Sequence, residues 1–181
     1  MRTRAWFGLG TNGSYEPDCR HVLDDPTRDL QEDLDAELVP LLAGLRSRAP
    51  RAAILVVGYP PLAPLHAEGP CRGDAEHADG TPVGFGAGWE ISQEDATWIV
   101  GVLERLNSRL AVAAHGAGSH FVDPAPVFTG HEACSADPWI RGVVIDGLSP
   151  SVYSFHPTRG GQWALAEDVA AYLRAFPRPP S

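Results

Sequence analysis

Three short runs of consecutive apolar residues constrain the fold of this 181-residue chain more than any other feature. They are AWFGLG at 5–10, AAILVVG at 52–58 and HFVDPAPVF at 120–128. Strands with one solvated face alternate apolar and polar residues, whereas continuous apolar strands are typical of a parallel sheet that is covered on both faces. The runs therefore predict three parallel strands of one buried sheet.

Helical patterns separate these runs. Leucines recur at every third or fourth position along one predicted helix face: Leu30, Leu34, Leu38, Leu41 and Leu45. We expect Pro40 to kink or interrupt this helix, because proline lacks the backbone N–H that the helix needs. Ser92 and Asp95 form a capping-box-like start for a second helix, and a third helix is predicted from about 162 to 176. The alternation of strands and helices predicts one α/β domain over residues 1–181.

The charge balance and the apolar content exclude two classes of function. The formal net charge is −9, from 14 Lys and Arg against 23 Asp and Glu, whereas nucleic-acid binding normally requires a basic surface. The longest apolar run, at 52–59, is far too short to span a bilayer. The first ten residues lack the apolar region and cleavage site of a signal peptide. We therefore expect no nucleic-acid partner and no transmembrane segment.

Candidate functional residues follow the predicted strands. In α/β folds, ligands bind at the carboxyl ends of the strands. GTNGSY (10–15) follows the first strand, GYPPL (58–62) follows the second, and His156 enters the last helix from a loop that can reach the same edge. Three other histidines have no carboxylate or cysteine at ligand spacing, so we predict no metal site among them: His115, His120 and His131.

Four segments together resemble the SGNH (GDSL-type) serine esterases and lipases, particularly their secreted actinobacterial branch. The segments are GLGTNG (8–13), ILVVGYPPL (54–62), the stretch 106–140, and SFHPTRGGQWALA (154–166). They keep the family's order over nearly the whole chain. The resemblance implies a flavodoxin-like, three-layer α/β fold with a parallel sheet that lacks the family's N-terminal strands. It also implies hydrolysis of a carboxylic ester without a metal or an organic cofactor.

By this resemblance, Asn12 is the oxyanion-hole asparagine, whose side-chain amide would stabilise the tetrahedral oxyanion. The turn TNG gives Asn12 a second, compatible interpretation as a turn residue. His156 is the general base that takes the serine proton and returns it to the leaving alcohol. The family often has an acidic residue three positions before this histidine, where the chain has Tyr153. The Tyr153 backbone carbonyl would then orient the imidazole, unless the fold brings Asp123 or Asp146 close.

The Gly-Asp-Ser block that carries the family's nucleophile is absent from the sequence. We therefore expect the chain to be the C-terminal part of such an enzyme, with the nucleophilic serine outside it. Ser14, which follows Gly13 after the first strand, is the best candidate inside the chain. The alternative is a non-catalytic esterase-like domain, a relic or a binding module, which the missing nucleophile favours and the two retained blocks oppose. A sugar O-acetyl esterase is a further possibility within the enzyme class.

The three cysteines are an odd count, and their spacing leaves open one disulfide with a free thiol or three reduced thiols. The resemblance implies a disulfide between Cys71 and Cys134 and leaves Cys19 unpaired. Because disulfides persist in oxidising compartments, it also implies a secreted parent protein.

The resemblance finally implies the surroundings of the site and its substrate. His131 and Trp139 match family positions near the mouth of the site, and we expect Trp139 to serve in packing. The glycine-rich segment GFGAGWE (84–90) does not follow a strand, so we interpret it as a flexible wall over the acyl pocket instead of a phosphate loop. The expected substrate is a small-molecule or lipid ester, and we expect a monomer.

Overall fold

The computed structural model describes residues 19–64, 69–84, 87–147 and 149–175, and for 19–31 and 33 it describes the helical backbone. The predicted strand at 5–10 lies outside these ranges. In chain order, the elements are α1 (Cys19–Arg48), β1 (Leu55–Val57), β2 (Cys71–Asp74), β3 (Glu76–His77), β4 (Gly88–Ile91), α2 (Gln93–Gly116), β5 (His120–Val122), α3 (Ala125–Phe128), β6 (Val144–Asp146), β7 (Ser149–Pro150) and α4 (Arg159–Ala175).

The two apolar runs that the structure describes form a parallel pair, as predicted. β1 and β5 lie side by side in parallel, with Leu55 opposite His120. β5 is shorter than the strand predicted at 120–128. The Asp123 carboxylate accepts the Ala125 backbone N–H at 3.0 Å, and the chain turns there into α3. A local side-chain hydrogen bond of this kind competes with the strand ladder and ends it.

Helix α2 begins where the capping box predicts. The Ser92 hydroxyl accepts the Asp95 backbone N–H at 3.1 Å and donates to the Asp95 carboxylate at 2.7 Å. The helix packs against α1 and against the parallel pair. Arg109 of α2 also pairs with Asp35 of α1 at 2.8 Å. These contacts cover the parallel pair with helix.

Helix α1 continues through Pro40, so the predicted interruption is wrong. Pro40 is exposed, so its ring displaces no packed neighbour and the helix loses one backbone hydrogen bond. Because the helix is unbroken, its buried face continues four residues beyond Leu38 to Leu42, which is 3% exposed. Leu41 and Leu45 of the predicted stripe are exposed instead.

The stretch 59–91 contains three short strands. β2 and β4 pair antiparallel, with Gly73 opposite Trp89. β3 joins β6 in parallel, and β6 pairs antiparallel with β7. The interpretation of 84–90 as a flexible wall is wrong for its described part, because β4 holds Trp89 in the core at 3% exposure. A buried indole packs too closely for the segment to act as a mobile flap.

One core cluster joins this region to the rest of the chain. Its buried members come from the loop after β1, from β2, β4 and α2, and from the segment around α3: Ala63, Cys71, Trp89, Ile91, Ala96, Val100, Phe128, Ala133 and Ile140. Cys71 of β2 is bonded to Cys134, which confirms the predicted disulfide. Within the described residues, no helix combines the length and the apolar content needed to cross a membrane.

Helix α4 starts three residues earlier than predicted. The Thr158 hydroxyl accepts the Gly161 backbone N–H at 3.1 Å and so caps the first turn. The buried positions of α4 are the small residues Gly161 and Ala164, whereas Trp163 is 69% exposed. The predicted end at residue 176 lies outside the described residues.

Candidate active site

His156 lies in the loop between β7 and α4, and backbone hydrogen bonds fix this loop on both sides of it. The Arg141 backbone N–H donates to the His156 carbonyl at 2.9 Å. The Thr158 backbone N–H donates to the Trp139 carbonyl at 2.7 Å. The loop therefore follows a neighbouring segment of chain, while the His156 residue itself is exposed.

The His156 imidazole is oriented by a backbone carbonyl, but by that of Ser154 and not of Tyr153. Nδ1 lies 3.1 Å from the Ser154 oxygen. The Tyr153 carbonyl instead accepts the backbone N–H of His156 at 3.4 Å. A carbonyl can only accept, so in this contact Nδ1 carries the proton and Nε2 keeps its lone pair. The carbonyl that orients the imidazole is thus that of Ser154 and not that of Tyr153, which was expected from the sequence. The nitrogen that can accept a proton is Nε2.

The chain conformation between Ser154 and His156 explains that one-residue difference. Phe155 has φ of 58°, a left-handed conformation that costs a residue with a side chain about 1–2 kcal/mol. This turn reverses the chain and directs the Ser154 carbonyl toward the imidazole. The Ser154 hydroxyl accepts the Val144 N–H at 3.0 Å and donates to the Val144 carbonyl at 3.2 Å, which anchors the turn to β6.

Neither alternative acidic partner contacts the His156 ring. The Asp123 carboxylate is engaged in starting α3, and Asp146 is exposed at the end of β6. Among the described residues, the polar contact of the His156 ring is the one with the Ser154 carbonyl. A neutral carbonyl fixes the tautomer but stabilises an imidazolium less than a carboxylate does.

His131 and Trp139 form one wall of rings beside this loop. Their rings stack at 3.7 Å with an angle of 6° between planes, and Phe128 meets Trp139 edge-on at 5.7 Å. His131 Nδ1 lies 2.8 Å from the Asp137 carbonyl. Gly161 has no room for a side chain against the backbone of Trp139. Packing is therefore the role of Trp139, and the start of α4 is fitted closely to it.

At the carboxyl end of β1, Asn107 holds the backbone of Tyr59, a contact that the sequence did not predict. Its side-chain oxygen accepts the Tyr59 N–H at 2.8 Å, and its side-chain nitrogen donates to the Tyr59 carbonyl at 2.8 Å. Gly58 precedes Tyr59, and a Cβ there would collide with Phe121 and Asn107. A polar residue inside the otherwise apolar stripe of α2 is the signal that could have revealed it. Tyr59 is left exposed at the strand edge.

A separate cavity of about 260 Å³ has charged residues in its walls, and three of them, Arg72, Glu76 and Arg141, take part in ion pairs. Arg72 contacts Glu90 at 2.6 Å, and Arg141 contacts Glu76 at 2.6 Å. His156 is not among the lining residues. In the described ranges, no group of three or more histidines, cysteines or carboxylates could hold a metal ion.

No family model matches the sequence. A lipase from Streptomyces rimosus is 32% identical over 133 residues, which cover 74% of this chain and 41% of that lipase. Lipase 1 from Streptomyces coelicolor is 30% identical over 129 residues, which cover 71% of this chain and 40% of that protein. The chain therefore spans about two fifths of the length of these curated relatives.

Two solved structures are similar to this fold. They are an extracellular lipase from Streptomyces rimosus and a phospholipase A1 from Streptomyces albidoflavus, at 27% and 26% identity. Each superposes with a TM-score of 0.64 over 84% of this chain and 56% of the solved chain. The chain is related to the SGNH hydrolases. Its α/β fold is similar to that of the SGNH lipases, as the resemblance implied.

Two of the residues expected from the SGNH resemblance cannot be placed. Asn12, the expected oxyanion donor, and Ser14, the candidate nucleophile inside the chain, both lie outside the described residues. Their roles stay predictions. The described part of the candidate site is thus His156 and the wall of rings beside it.

Proposed function

We propose that this chain is part of a carboxylic-ester hydrolase of the SGNH type, and that His156 is the general base of that enzyme. The observation that carries the proposal is the contact between His156 Nδ1 and the Ser154 carbonyl at 3.1 Å. It leaves Nε2, the nitrogen with the free lone pair, on an exposed side chain. A base needs this combination to take a proton from a nucleophile.

In the proposed reaction, Nε2 takes the hydroxyl proton as a serine oxygen attacks the ester carbonyl carbon. The C–O bond of the ester then breaks, and Nε2–H gives the proton to the leaving alcohol. Nε2 next takes a proton from water as the water oxygen attacks the carbonyl carbon of the acyl-serine. The bond from that carbon to the serine oxygen then breaks, and Nε2–H returns the proton to the serine oxygen. Asn12 would donate to the oxyanion, a contribution of about 3 kcal/mol for one such donor.

We place the nucleophile in residues that these 181 do not contain. The sequence has no Gly-Asp-Ser, and it spans 41% of the Streptomyces rimosus lipase that it matches. Ser14 is the alternative inside the chain. The missing motif also supports a second candidate function, a non-catalytic esterase-like domain that is a truncated relic or a binding module.

The proposed substrate is a lipid ester or a small-molecule ester. Similar proteins are named lipase and phospholipase A1, and one of them is an extracellular enzyme. The disulfide between Cys71 and Cys134 fits an oxidising compartment, so we propose that the protein acts outside the cell. We further propose that residues 1–181 form one domain and that the protein is a monomer.

The first experiment is fluorophosphonate labelling of the purified chain, read by intact mass and peptide mapping. We expect no adduct, because the proposed nucleophile is outside the chain. An adduct on Ser14 would place the nucleophile inside it and correct the proposal on that point. Either result leaves the role of His156 to a second experiment.

The second experiment fuses the chain to the N-terminal part of the Streptomyces rimosus lipase that precedes the matched region. We expect the fusion to hydrolyse a p-nitrophenyl ester and His156→Gln to lower kcat by about 10²–10⁴-fold. His115→Gln, at an exposed histidine in the last turn of α2, is the matched control and should retain full activity. A folded but inactive fusion would favour the non-catalytic domain, and equal activity of the two variants would refute His156 as the base.

A further inference from the structure

We propose that Trp89 is a positioning residue for His156, and that it acts through the ring of Phe155. The inference rests on the proposed function in one respect, that His156 is the base. Trp89 lies on β4, in the long stretch between β1 and α2, and is far from His156 in sequence. What connects the two residues is the strained turn that precedes the histidine.

The backbone of Phe155 is in a strained conformation. Among the described residues, it is the one non-glycine residue with a positive φ, at 58°. A side chain disfavours this conformation, so it persists only where the surrounding structure holds it. Strain of this kind immediately before a candidate catalytic residue calls for an identifiable restraint.

Two contacts of Phe155 provide this restraint. The Phe155 ring meets the Trp89 indole edge-on, with 5.5 Å between ring centroids and 82° between planes. Aromatic pairs prefer this arrangement, which directs the positive edge of one ring at the negative face of the other. The Phe155 backbone N–H also donates to the Gly142 carbonyl at 3.1 Å. The ring contact fixes the side chain while the hydrogen bond fixes the backbone.

Trp89 is itself held in place by its surroundings. Its indole N–H donates to the Asp74 carbonyl at 3.2 Å, and the residue is almost completely buried. A Cβ on Gly73 would lie 2.8 Å from the indole, and one on Gly142 would overlap it. The neighbouring strand β2 is held by the disulfide at Cys71. The indole is therefore a rigid surface against which the Phe155 ring packs.

The consequence falls on the tautomer of His156. The left-handed turn is what brings the Ser154 carbonyl to 3.1 Å from Nδ1. If Phe155 relaxes to a negative φ, that carbonyl turns away and the ring reverts to the Nε2–H form that free histidine prefers. In that form the nitrogen that must accept the serine proton already holds one.

The test is the imidazole tautomer of His156, read from ¹⁵N chemical shifts of the ¹⁵N-histidine-labelled chain at a pH where the ring is neutral. It needs neither nucleophile nor substrate, so its failure and a failure of ester hydrolysis are separate results. We expect the wild type to carry the proton on Nδ1. Trp89→Leu and Phe155→Ala should move the ratio toward Nε2–H by about 5- to 30-fold, the equivalent of 1–2 kcal/mol. Phe155→Gly should stay near the wild-type ratio, because glycine adopts positive φ without that cost.

Val152→Ala is the matched control, at an exposed residue of the same turn, and should leave the tautomer unchanged. A purely structural role for Trp89 would lower the melting temperature without moving the tautomer. The proposal is overturned if folded Trp89→Leu keeps the wild-type ratio, or if wild-type His156 holds its proton on Nε2. If Trp89→Leu does not fold, the comparison of Phe155→Ala with Phe155→Gly tests the proposal instead. Equal tautomer ratios of His156 in these two variants overturn the proposal.

Discussion

Replacing both cysteines of the disulfide by alanine should destabilise the folded chain by roughly 4 kcal/mol. Cys71 and Cys134 are 63 positions apart, and a cross-link over a loop of that length removes about this much entropy from the unfolded chain. Cys71 is also a member of the buried core cluster, so losing its sulfur adds to the cost. For a domain of this size, the melting temperature should fall by roughly 8–16 °C.

The assay is urea unfolding of the oxidised wild type and of Cys71→Ala/Cys134→Ala, followed by circular dichroism. Beyond the shift of the midpoint, the variant should show a larger m value, because its unfolded state is no longer cross-linked and exposes more surface. The reduced wild type serves as control and should unfold like the variant. A difference below about 1 kcal/mol, or an unchanged m value, would refute the argument that the cross-link acts on the unfolded chain.

Three further predictions concern single residues. Gly142→Ala should cost about 1–3 kcal/mol in thermal unfolding, because the new Cβ overlaps the Trp89 indole. Ser92→Ala should cost about 1 kcal/mol through the lost helix cap. Hydrogen bonds from the Thr81 hydroxyl and backbone hold the pKa of Asp79 below its usual value, so Thr81→Ala should raise it in an NMR titration. Because the folded pKa is depressed, that stabilisation is complete above about pH 4 and is lost as pH falls through the folded pKa.

Matched control variants separate the effect of each named contact from the general effect of substituting a residue. Gly44→Ala adds a Cβ where nothing lies within 4 Å, and should stabilise α1 by about 0.5–1 kcal/mol. Ser108→Ala, at an exposed position of α2, should change stability by less than about 0.5 kcal/mol. Thr81→Ser keeps the hydroxyl and should keep the lowered pKa of Asp79. If a control changes the stability, or the pKa of Asp79, as much as its partner variant does, the named contact is not the cause of the effect.

The long stretch between β1 and α2 has a different role from the one that its composition suggests. Glycine and proline favour irregular chain, yet here Gly73, together with Gly142 in the segment before β6, makes room for one large buried ring. The same stretch provides one end of the disulfide. Its described part therefore supports the loop that holds His156 and does not form a mobile wall.

The sequence by itself determined the features that depend on local pattern. Continuous apolar runs identified β1 and β5, and Ser92 and Asp95, which are three positions apart, identified the start of α2, because period and capping act over a few positions. The expectations for His156 and for the pairing of Cys71 with Cys134 came from the resemblance to the SGNH hydrolases, whose motifs the chain keeps in order.

Only the tertiary structure decided the features that depend on packing between distant segments. Pro40 stays inside α1 because its ring faces solvent, which a pattern of leucines does not reveal. The partner of His156 is the Ser154 carbonyl because a left-handed Phe155 turns the chain, and that conformation persists because Trp89, 66 positions earlier, fills the space beside it. The energy of a strained turn is balanced by contacts made after folding, so the residues that provide them carry no local signal.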